Sequence, residues 1–239
     1  MADTRTGGVP RLRTWGTERV PGLARTAVAA AGVAVLALTA TGCSSGDSGA
    51  QVEGLCGPSA DSDAGESLRA VLRTDDFTAE VLRSDDNFVR EFKKDLREWQ
   101  AGKNSTSPSF LCKYVPEGSK GHVLLGFAWS PADQPAEQRA QGGTFYDLNG
   151  ATGEVGNLSA GLYATCVLGG ELSDPSRRAV LRADAVLTAD RGQRVDKDQE
   201  AEQLSYLYFM TREVTKALGC ENKPLEKDPV VKPLTEGNS

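Results

Sequence analysis

Apolar residues recur along this 239-residue chain in three different rhythms. The first is one unbroken run from Thr26 to Leu38, rich in Ala and Val. The second is helical. Leu68, Val71 and Leu72 predict a short helix over 66–73. Phe88, Phe92, Leu96 and Trp99 form one stripe of a longer helix, with Asp85 or Asp86 as its cap and Gly102 as its stop. Leu204, Leu207, Tyr208, Thr211, Val214 and Ala217 or Leu218 predict a helix over 199–218, closed by Gly219.

The third rhythm is alternation with period two, the spacing of a strand. It predicts strands at 110–115, 122–130, 144–148, 162–168 and 178–188. Both faces of the 122–130 segment are apolar or small, so it belongs in the middle of a sheet. In the 178–188 segment Ala179, Leu181, Ala183, Ala185 and Leu187 turn inward, whereas Arg178, Arg182, Asp184 and Thr188 face water. Asn149-Gly150 is a turn, because both residues tolerate positive φ. The segment 77–82 fits helix and strand equally. Helices, then about five strands, then a helix predict a single α+β domain. Its antiparallel sheet carries helices mainly on one face.

The apolar run changes the picture of where the chain works. Arg5, Arg11, Arg13, Arg19 and Arg25 precede it against only Asp3 and Glu18. At 13 residues the run is shorter than the roughly 20 that span a bilayer as a helix. A cationic flank, a short apolar core and small residues after it read as a secretory signal peptide. The last four positions, Ala40-Thr41-Gly42-Cys43, resemble the lipobox of bacterial lipoproteins, where a cysteine receives a diacylglyceryl group before cleavage. That family usually has Leu three places before the cysteine; here Ala40 stands there, with Leu38 two places further back. An ordinary signal peptidase also accepts Ala40-Thr41-Gly42 as a small-x-small site. The resemblance implies residues 1–42 as signal peptide and Cys43 as the lipidated residue. Two acyl chains hold a protein to a bilayer firmly where one does not.

Ser44 to Glu53 offers almost nothing to bury and reads, within 43–54, as a flexible tether. The folded domain is expected over 55–220. Residues 221–239, with Pro224, Pro229 and Pro233 and no apolar period, are expected to form a disordered tail.

Five cysteines fit this division. Cys43 takes the lipid, and Cys56, Cys112, Cys166 and Cys220 remain as an even set for an oxidising compartment. Four cysteines allow three pairings. Cys56 with Cys112 and Cys166 with Cys220 is favoured, since each bond would tie a helix-containing loop to a strand. Closing loops of this size contributes roughly 4 kcal/mol per bond.

Charge and motifs narrow the chemistry. The net charge is −6, and the leader takes away a surplus of arginine, so the remainder is more acidic still. That balance argues against nucleic acid, whose phosphates call for a basic patch. It also leaves the acyl chains as the contact with the lipid bilayer. The chain is rich in Ala, Gly, Arg and Asp and resembles the lipoproteins of high-GC Gram-positive bacteria. That resemblance implies a place at the cell membrane, lipid-anchored on the extracytoplasmic face.

There is one histidine, His122, and no C-x-x-C, S-x-x-K, P-loop or G-x-G-x-x-G. Asp147 to Glu154 looks superficially like a calcium loop. It lacks an acid or amide at the fifth position and has Leu158 at the twelfth, so a hairpin is predicted instead. Asp75-Asp76 and Asp85-Asp86 remain as carboxylate pairs able to bind calcium or do acid–base work if brought to a cleft, with caps and solvated surface as the favoured reading.

These readings predict a non-catalytic binding or interaction module, with no cofactor or metal. Its partner would be an envelope protein or a small ligand. The alternative is an extracytoplasmic hydrolase using the paired carboxylates. Replacing Cys43 with Ser is expected to move the protein from the membrane fraction to the soluble one; unchanged retention would contradict the lipid assignment.

Overall fold

Two long strands, β3 (His122–Pro131) and β7 (Ala179–Thr188), pair antiparallel over their whole length and form the middle of the structure. It is a computed structural model, and it describes residues 54–59, 61–99, 105–134, 143–188 and 197–234. β3 is buried on both sides, as its composition predicts: Val123, Leu125, Phe127 and Trp129 on one, Gly126, Ala128 and Ser130 on the other. β7 shows the expected single apolar face, with Ala179, Leu181, Ala183 and Ala185 buried.

Six more strands extend the sheet. They are β1 (Phe77–Val81), β2 (Ser109–Pro116), β4 (Thr144–Leu148), β5 (Ala151–Val155), β6 (Ser159–Ala164) and β8 (Val231–Pro233). The order is β1-β2-β3-β7-β6-β5-β4-β8, and every neighbouring pair is antiparallel. Among the described residues the sheet therefore has eight strands and not about five. The ambiguous 77–82 segment is β1. β5 follows β4 through Asn149 (φ 52°) and Gly150 (φ 91°), a two-residue turn whose positive φ values match the twist of a hairpin. β6 ends at Ala164, four residues before the predicted limit.

Four helices among the described residues complete the α+β fold. α1 (Asp63–Leu72) starts where Ser62 Oγ accepts the Gly65 amide at 3.1 Å, and it ends at Arg73 in the left-handed region. α2 (Asp85–Glu98) buries Phe88, Phe92 and Leu96 as the stripe predicts. Its N-cap is Ser84, so Asp85 and Asp86 lie in the first turn instead, where carboxylates favour the positive end of the helix dipole. The predicted stop, Gly102, lies outside the described residues. α3 (Ser173–Arg177) is a short turn before β7. α4 (Lys197–Leu218) ends at Gly219, φ 76°, whose amide bonds Lys216 O while that of Cys220 bonds Thr215 O.

The contacts of α2 and α4 fall on one face of the sheet. Phe92 stacks on Trp129 at 4.8 Å, and Trp129 Nε1 donates to Phe92 O at 3.1 Å. Phe88 meets Phe127 edge-on, and Tyr206 meets Tyr114 the same way at 6.0 Å. α1 packs beside α4. On the opposite face Arg182 Nε and Asp184 Oδ2 pair at 2.9 Å, both largely buried. Burial raises the Asp184 carboxyl, and the Arg182 charge opposes that shift.

Both disulfides pair as expected, Cys56 with Cys112 and Cys166 with Cys220. The tail is different. Residues 221–234 are structured: Glu221 N bonds Val167 O at 2.8 Å, and the Asn222 side chain bonds Val167 N and Thr165 O, both at 2.9 Å. Leu225 is buried, and β8 adds to β4. An amide side chain and three strand residues supply these anchors, which is too little sequence to show a period.

Burial raises Tyr114 and Tyr146 from 10.0 to about 12 and Tyr206 well above 10.0; Glu200, bonded to the Tyr146 hydroxyl, adds to the second shift. The unfolded chain ionises these phenols near 10, so their contribution to stability is complete below that pH and falls as pH rises from 10 toward 12. Phenolate absorbance is expected to appear late and together with unfolding. All five tyrosines titrating near 10 with the fold intact would contradict it.

Candidate functional site

The sequence candidates do not converge. Asp75 sits before β1 with Arg69 Nε 3.3 Å from its Oδ1, and Asp76 is exposed beside it. Asp85 and Asp86 open α2. β1 runs between the two pairs, and its five residues in extended form span roughly 17 Å. Asp85 instead braces the leading loop. Its Oδ2 accepts the Leu55 amide at 3.0 Å and lies against Gly54, φ 89°, where a Cβ would come within 2.4 Å of it. His122 Nδ1 lies 2.7 Å from Thr188 Oγ1, which also takes the His122 amide at 3.0 Å, so this pair closes the end of the β3–β7 ladder. Asp147 to Glu154 is the β4–β5 hairpin. No group of three or more His, Cys, Asp or Glu among the described residues is placed to hold a metal ion. Cys43 and the tether to Glu53 lie outside the described residues.

What the structure does bring together centres on Arg212, which has no mark in the sequence pattern. Two clefts flank α4 and share this side chain. One, of about 470 Å³, lies along the last turns of α4 and the chain after it; it is lined by Arg212, Lys216 and Lys223 against one acid, Glu226, with Thr215 and Cys220 in its wall. The other, of about 590 Å³, lies between the leading loop and α4; Asp61, Asp63, Asp85 and Glu213 line it against Arg212 alone. The two clefts are thus of opposite sign.

The guanidinium of Arg212 is held by stacking and not by bonding. Its Cζ stands 5.0 Å from the centre of the Phe209 ring. Nε is 3.9 Å from Glu213 Oε1 and Nη1 is 3.8 Å from Asp228 Oδ1, both beyond hydrogen-bond length. Nε is buried with no hydrogen-bond partner among the described residues. Glu213 is instead committed to Lys216, with Nζ to Oε1 at 2.8 Å. Such a guanidinium has unused donors in a planar fork that matches a carboxylate or phosphate.

No known protein family, curated protein or solved structure matches this chain. Among the described residues no helix is long and apolar enough to cross a membrane.

The tail that was expected to be loose forms part of this site. Tyr208 donates its hydroxyl to Lys227 O at 2.8 Å, one helical turn before Arg212, and so fixes the segment carrying Lys223 and Glu226. Replacing Tyr208 with Phe removes one partly buried hydrogen bond, a loss of about 1 kcal/mol. Amide exchange across 225–233 is expected to quicken while exchange in β3 and β7 stays unchanged. Unaltered protection of 225–233 would contradict this anchoring.

Proposed function

We propose that this chain is an extracytoplasmic lipoprotein, held at the membrane by acyl chains on Cys43, and that its domain is a non-catalytic binding module for an anionic ligand of the cell envelope. The observation that carries the binding reading is Arg212, stacked on Phe209 with its Nε unbonded, in the wall of a basic cleft that its side chain shares with Lys216 and Lys223. In a chain of net charge −6 a local excess of three cations over one acid is a departure from the rest of the molecule. Lys216 and Lys223 add charge attraction, while the four acids of the second cleft repel an anion and confine it to the basic side. The export reading rests on the Arg-rich leader, the lipobox-like Ala40-Thr41-Gly42-Cys43 and the two disulfides.

Titration with inorganic phosphate, followed by the side-chain resonances of the arginines, tests the site. The Arg212 Nε–H signal is expected to move in a saturable way. Arg212→Ala is expected to weaken binding at least about tenfold, since a charge-assisted hydrogen bond is worth roughly 1.5–3 kcal/mol. Small, non-saturating shifts spread over many lysines and arginines would contradict the assignment.

A further inference from the structure

β1 is the outermost strand at one end of the sheet, and its free side has a definite chemistry. Its register with β2 fixes which backbone groups point outward. Leu82 N bonds Leu111 O and Glu117 N bonds Asp76 O, so Asp76, Thr78, Glu80 and Leu82 spend their amides and carbonyls on β2. The N–H and C=O groups of Phe77, Ala79 and Val81 therefore face away from the sheet. Among the described residues no strand covers this edge; β1 has no proline, bulge or lysine, and Val81 and Leu82 are nearly half exposed. The opposite edge, β8, carries Lys232 and Pro233.

We propose that β1 pairs antiparallel with β1 of a second copy of this chain about a two-fold axis at Ala79, which joins two sheets into one. The sequence of the strand is complementary to itself in that register. Ala79 meets Ala79, and Phe77 meets Val81 on the helix-bearing face. Thr78 meets Glu80 on the other face. At the ends, Asp75 comes opposite Arg83, so each copy gives and receives one ion pair. Asp75 is 89% exposed and Arg83 is 41% exposed, and the new pairs would replace the ones these side chains make with Arg69 and Glu91.

Neighbouring registers are penalised. An axis at Glu80 sets Glu80 against its own copy, and an axis at Thr78 sets Asp76 against Glu80. Like charges directly opposite destabilise a strand pair. Only an axis at Ala79 keeps the acids of the inner strand apart while closing the terminal Asp75–Arg83 pairs.

Ala79→Pro tests the pairing, because the amide it removes points outward and proline is tolerated on an edge strand. By sedimentation the full chain is expected to be a dimer and the Ala79→Pro chain a monomer, with the same circular dichroism. Should that variant fail to fold, Ala79→Cys decides. Cross-axis Cα atoms of a hydrogen-bonded pair lie about 5.5 Å apart, within disulfide reach. Mild oxidation is expected to link Ala79→Cys chains into covalent dimers while leaving Glu80→Cys and the parent chain unlinked. A monomeric parent chain, a dimer that survives Ala79→Pro, or preferential linking through Glu80→Cys would overturn the proposal.

Discussion

Two cystine bridges hold the parts of this molecule that its sheet alone leaves untied. Cys56–Cys112 binds the leading loop to β2, and Cys166–Cys220 binds the end of α4 to the chain that leaves β6. Each closes a loop of more than fifty residues, which contributes about 4 kcal/mol in the chain-entropy account. Total stability of a domain this size is roughly 5–15 kcal/mol, so the pair is a large share of it. Both clefts also lean on these bonds. Cys220 stands in the wall of the basic cleft, and Cys56 fixes the loop that walls the acidic one.

Between the bridges, α4 sets the geometry. Leu204 packs onto Gly153 of the sheet, Tyr206 meets Tyr114, and Tyr208 reaches the following segment. From Gln203 to Thr211 only Ser205 escapes full burial. A helix gripped on nearly all sides presents its next residues at a fixed angle. That is why Arg212 stands between the two clefts with its donors unspent, and why Phe209 lies beneath it. Rigid support of this kind would suit the proposed recognition of an anion, since little order remains to be gained on binding.

Much of the fold is legible in the sequence, and the failures are instructive. The α2 stripe, the alternation of β7 and the double-sided burial of β3 each involve four or more large or regularly spaced apolar residues. The Asn149-Gly150 turn is plain because few other dipeptides accept positive φ twice. β5 escapes notice because Ala151, Gly153 and Val155 alternate with too little apolar mass, and Gly153 is small to admit Leu204. β8 and the buried Leu225 escape it because three strand residues and one anchor have no period. Arg212 has no signal at all: its meaning comes from Phe209, Asp228 and Glu213 meeting around it, which is tertiary information. The carboxylate pairs are the opposite case: each pair is plain in the sequence, whereas their placement at the two ends of β1 is read only from the structure.

On the proposed reading, the disulfides, the lipobox-like cysteine and the net charge of −6 belong to one physical situation, a braced domain working outside the cytosol beside a membrane that it touches through acyl chains. The intact mass of the protein taken from its native cells tests this most directly. The expected result is a chain that begins at Cys43, heavier by its lipid, with no cysteine open to alkylation before reduction. A chain that still begins at Met1, or one that alkylates at Cys56, Cys112, Cys166 or Cys220 without reduction, would contradict it.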